Sequence, residues 1–131
     1  MVSKLKTIRE KFSDEDLKEI DSILLKVYGE IPFIYETLPK QFKGPFFIKN
    51  DALFRSPSSK LSEKEKELIA ISASVALKCT HCQEVHIKSA LNMGLSIDEI
   101  KETILISSAI AESSSLAIAL RTLDKIEKSE D

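Results

Sequence analysis

Cys79-Thr80-His81-Cys82-Gln83-Glu84-Val85-His86 holds both cysteines and both histidines of the 131-residue chain. Its surroundings decide the fold. Upstream, Leu68 to Leu77 is apolar and compatible with helix. Downstream, Val85 to Met93 is helix-like, and Gly94 supplies a stop. The octet therefore reads as the start of a helix that follows a turn near Lys78. Cys79, Cys82 and His86 are spaced i, i+3 and i+7, which puts them on one helical face, with His81 pointing elsewhere.

That placement has chemical consequences. A thiol in the first turn of a helix faces unpaired backbone N–H groups and the positive end of the helix dipole, and both favour thiolate. His86, one turn after Cys82, is placed to exchange a proton with it. A CxxC pair at a helix start can close into a disulfide and reopen, as a thiol–disulfide or peroxide-reducing site requires. Two other readings stay open on the residues alone. Cys79, Cys82 and His86 or His81 suit zinc, although no second CxxC or HxxxH completes a closed four-ligand site. Two buried cysteines without a chemical role are the third.

Working outward, capping signals frame the motif. Ser62 and Glu65 make a capping box that opens a helix running to about Leu77. Ser96 and Glu99 make a second box after the motif helix. Ile97, Ile100, Ile104, Leu105 and Ile110 give the next helix, Glu112-Ser113-Ser114-Ser115 predicts a kink or break, and Leu116 to Ile126 resumes helical spacing. Towards the N-terminus, Ser13 with Asp14, Glu15 and Asp16 marks a helix start, and Gly29 its end. Pro32 and Pro39 suit the first turns of short helices, and Gly44-Pro45 reads as another break. Phe33, Phe42, Phe46, Phe47 and Phe54 read as core packing. No window alternates as a strand. The expectation is an all-α compact helical bundle, one domain over residues 1–131. Residues 1–12 form a frayed arm, and residues 60–111 the motif-bearing core.

Composition narrows the function classes. A hydrophobic share of 43% and a charged share of 31% fit a soluble globular protein. The formal net charge of −2 offers no global field for nucleic acid or membrane. Lys4, Lys6, Arg9 and Lys11 read as a solvated basic arm. No apolar run is judged long enough to span a membrane, and no signal-peptide core is evident. The cytoplasm is the expected compartment, where a CxxC is more often catalytic or metal-binding than a structural staple. Three scattered glycines leave no GxGxxG fingerprint. No bound cofactor or metal is expected.

Cys79-x-x-Cys82-x-x-x-His86 between two capped helices, with Glu67 twelve positions before Cys79 and His81 just before Cys82, resembles the alkylhydroperoxidase D family of the carboxymuconolactone decarboxylase-like superfamily. The likeness covers about residues 60–111. It implies an all-helical subunit that assembles into trimers or hexamers through helical faces. It implies a thiol-dependent reductase of hydroperoxides or disulfides. Cys82 would pass through a sulfenic acid, and Cys79 would serve as proton donor and resolving thiol, closing a Cys79–Cys82 disulfide. Glu67 and His86 would form a proton relay, with His81 in support. Electrons would come from a lipoyl domain or a thioredoxin-like protein. The decarboxylase branch is matched less well, because its members generally lack the cysteine pair.

The residues speak to part of this independently. Glu67 is a carboxylate in an unusually apolar helix, and a buried carboxylate needs a partner. Antiparallel helices joined by a short turn would bring it near His86. In thioredoxin-type motifs the first cysteine attacks, whereas here the i, i+4 relation ties His86 to Cys82. The helix-start argument does not separate the two. The histidine and the resemblance favour Cys82. A metal-binding helical protein and a non-enzymatic redox-sensing subunit are the alternatives.

Overall fold

Residues 11–129 are described in the computed structural model. Lys4, Lys6 and Arg9, and the frayed arm expected over residues 1–12 as far as residue 10, fall outside them; Phe12, at the end of that arm, is described and packs against Gly44. The chain is all-α: six helices, and no strand among the described residues. They are α1 (Asp14–Tyr28), α2 (Phe33–Thr37), α3 (Lys40–Arg55), α4 (Glu63–Ala76), α5 (Thr80–Asn92) and α6 (Ile97–Ser129). Two compact units divide between Lys66 and Glu67.

In the first unit, the start of α1 is set by a capping box. The Ser13 amide and hydroxyl both donate to Asp16 Oδ2, and the Asp16 amide donates back to Ser13 Oγ at 3.1 Å. Hydrogen bonds from the Ser13 backbone, then its hydroxyl, hold the Asp16 carboxyl below its ordinary value. Leu17, Ile20, Leu24 and Tyr28 fall on one face of α1 and are buried. The Tyr35 ring of α2 meets Phe46 and Phe47 edge-on, at centroid distances of 5.3 and 6.3 Å. Burial, with repulsion from Tyr28, pushes the Tyr35 phenol up to about 12.

Two expectations in this unit need correction. Gly44-Pro45 does not break the chain, because α3 runs through both. Gly44 is buried against the Phe12 ring, where any Cβ would collide, and burial of Phe47 on the same helix favours continuing it. The five phenylalanines are not one core. Phe47 is buried, but Phe33 and Phe42 are exposed, and Tyr35 takes the interior place. Pro32 and Pro39 stand at the N-caps of α2 and α3, one residue before the first turn.

In the second unit, α4, α5 and the first half of α6 surround a core of Ile71, Ala90, Leu95 and Ile100. Leu68, Val75, Ile87 and Ile104 pack against it. Both turns that join these helices have the same cap. The Lys78 amide reaches Val75 O and the Cys79 amide reaches Ser74 O, at 3.1 and 2.9 Å. Gly94 and Leu95 repeat the pattern on Leu91 O and Ala90 O. Each such cap needs a left-handed residue. Gly94 (φ 83) meets that need readily, and Lys78 (φ 56) does so at a cost of about 1–2 kcal/mol for its Cβ.

The break predicted at Glu112–Ser115 is absent, since α6 is one helix of 33 residues. Its serines do not compete with the helix. Ser108, Ser113 and Ser115 each donate to the carbonyl four residues back, at 2.9, 2.9 and 3.2 Å. The expectation about apolar runs is corrected too: by length and composition α6 is apolar enough to cross a bilayer, and little of its most apolar stretch is buried.

Candidate functional site

The cap on α4 delivers Cys79 directly to the start of α5, where it is the N-cap residue. Cys79 and Cys82 are joined by a disulfide, with their Cα atoms 5.3 Å apart. Both residues are partly exposed. The backbone amide of Cys82 points at Cys79 Sγ at 3.3 Å. The preceding loop is clamped as well: Ser74 O accepts from the Cys79 amide at 2.9 Å and from Gln83 Nε2 at 3.2 Å.

Glu67 lies on α4, on the same face as Ile71 and Ser74, and is 0% exposed. His86 lies on α5, one turn beyond Cys82. The two meet: His86 Nδ1 is 2.8 Å from Glu67 Oε2. An ionised carboxylate only accepts, so Nδ1 then carries the hydrogen, and in the neutral ring Nε2 keeps the lone pair. The other carboxylate oxygen, Oε1, accepts from Ser89 Oγ at 2.9 Å. Both oxygens of this buried group are thus satisfied, which a buried carboxylate requires.

The structure brings Cys79 and Cys82 together and Glu67 and His86 together. His81 is exposed, and its one described interaction is electrostatic, with Glu84, whose carboxyl is held low chiefly by Lys88. Ser89 and Gln83 escaped the sequence reading. A signal for Ser89 existed, since it follows Cys82 and His86 on the face i, i+4, i+7. Small polar residues in helices are common enough that spacing alone did not mark it. Among the described residues no three His, Cys, Asp or Glu side chains cluster as a metal site.

An all-helical unit that presents a CxxC at one helix start, with an imidazole one turn further along held by a buried carboxylate, defines a recognisable class. The family model of the carboxymuconolactone decarboxylase family matches residues 46–125, well over half of the chain, and the protein belongs to that family. The match reaches beyond residues 60–111 on both sides, into α3 and most of α6. No curated protein and no solved structure matches the chain.

Proposed function

We propose that the protein is a thiol-dependent reductase of hydroperoxides or disulfides, working through the Cys79–Cys82 pair with Glu67 and His86 as its proton relay. The observation that carries this reading is the 2.8 Å contact between His86 Nδ1 and the buried Glu67. A buried carboxylate that fixes one imidazole nitrogen, one turn from a cysteine, is a base with its orienter.

The cycle starts from the dithiol. His86 Nε2 takes the Cys82 proton. The thiolate attacks the terminal peroxide oxygen, the O–O bond breaks, and the alcohol leaves with the proton returned by the imidazolium. Cys82 is left as a sulfenic acid. Cys79 attacks that sulfur and water leaves, closing the disulfide. The Cys82 amide that faces Cys79 Sγ favours a thiolate there and so assists this second step. An external dithiol, on a lipoyl domain or a thioredoxin-like protein, then restores the pair by exchange. The net change is one peroxide and one dithiol to one alcohol, one water and one disulfide. His81, next to Cys82 in the chain and exposed, would be a supporting group.

A reducing cytoplasm suits such a cycle. The exposed apolar side chains of α6 suit a homo-oligomer, a trimer or hexamer, that covers them. The test is a thiol titration with turnover. Hydroperoxide should remove two thiols per chain, dithiol should restore them, and the protein should consume peroxide catalytically. Titration without turnover would instead indicate a sensor, and no loss of thiols would end the proposal.

A further inference from the structure

We infer that Ser89 is a positioning residue for the relay, its hydroxyl fixing the Glu67 carboxylate so that Oε2 faces His86. The inference rests on the reductase reading for its functional meaning, but its geometry stands apart from it. Ser89 Oγ donates to Glu67 Oε1 at 2.9 Å, while His86 Nδ1 holds Oε2 at 2.8 Å. Glu67 is 0% and Ser89 1% exposed, so water does not replace either contact.

A glutamate side chain has three rotatable bonds. With one oxygen held by a ring at the edge of the site, its carboxylate could still turn. A second donor on the other oxygen fixes the plane. An ionised carboxylate only accepts, so one held in this plane orders a neutral imidazole with hydrogen on Nδ1 and a lone pair on Nε2. Ser89 and His86 are three residues apart on α5, so one rigid helical turn sets both contacts. The other buried serines act differently: Ser74 and Ser107 give their hydroxyls to backbone carbonyls, of Ile71 and Ser72. Ser89 alone of these gives its hydroxyl to the buried carboxylate.

The variant is Ser89→Ala, which keeps a good helix former and removes only the hydroxyl. The first readout is nitrogen NMR of the His86 ring in the full-length protein, assigned by its loss in His86→Ala. It requires neither peroxide nor turnover. The native ring should show a single tautomer with a protected Nδ1–H, and Ser89→Ala should mix tautomers and lose the protection. The second readout is the melting temperature. A packing role alone would lower it and leave the tautomer unchanged, and that result would overturn the inference. If the native protein shows no turnover, the reductase reading fails, and the ring spectrum still decides the role of Ser89.

Discussion

Glu67 and His86 stand 19 residues apart in the chain and 2.8 Å apart in space, because the capped turn at Lys78 folds α5 back along α4. The proposed relay uses both members. His86→Ala should keep both thiols and slow peroxide reduction by about 10²–10⁴-fold, the usual loss for a positioned acid–base group. Glu67→Gln should be the milder change, since it removes the charge and keeps the shape. Steady-state rates at matched thiol content measure this, and a Glu67→Gln variant at the native rate would remove the carboxylate from the relay.

Assembly gives the second prediction. Leu116, Leu120 and Leu123 repeat along α6 and are more than half exposed, at 53, 60 and 51%. If copies of the chain cover this face, the native protein should sediment as an oligomer at micromolar concentration. Leu120→Glu should shift it to smaller species by placing a charge in the seam. A native monomer with full activity would contradict the expectation.

The close approach of Phe12 to Gly44 is tested by a double-mutant cycle. In the native background, Gly44→Ala should lower stability, because overpacking of about 1–3 kcal/mol outweighs the gain in helix propensity. With Phe12→Ala the collision is gone, and the same change should raise stability by about 1 kcal/mol. Denaturant midpoints of the four proteins report the coupling. Equal effects in both backgrounds would show that the ring moves aside freely.

Much of this was legible because the signals are local. The Ser13 N-cap and the Ser62 and Ser96 boxes each put a side chain within three residues of its amide, so they can be read from spacing alone, and all three are present; at Ser13 the structure adds the return bond from the Ser13 amide to Asp16. The Glu67–His86 contact was reachable because the helices on either side of a short turn must run back along each other. What was not legible depends on contacts remote in sequence, or on polarity hidden within a helix. Gly44-Pro45 reads as punctuation until Phe12 and Phe47 are seen to hold the helix together. The serines of α6 read as a break until their hydroxyls are seen to bond back onto the same helix. Ser89 shares a helical face with Cys82 and His86, but that spacing does not mark it until Glu67 is found against it.

Metal content separates the dithiol from the zinc alternative. Protein purified without chelator should carry at most trace zinc, and added chelator should leave peroxide reduction unchanged. One zinc per chain, retained through dialysis and required for activity, would overturn the redox reading.

The most direct test of the central claim is labelling by a sulfenic-acid probe of the dimedone type, after peroxide, in the two single-cysteine variants. Cys79→Ser should be labelled, on Cys82, because oxidation still occurs and no thiol remains to resolve it. Cys82→Ser should stay unlabelled, and neither variant should turn over. Label on Cys79 in Cys82→Ser, with none on Cys82 in Cys79→Ser, would reverse the roles of the two cysteines and contradict the pairing of His86 with Cys82.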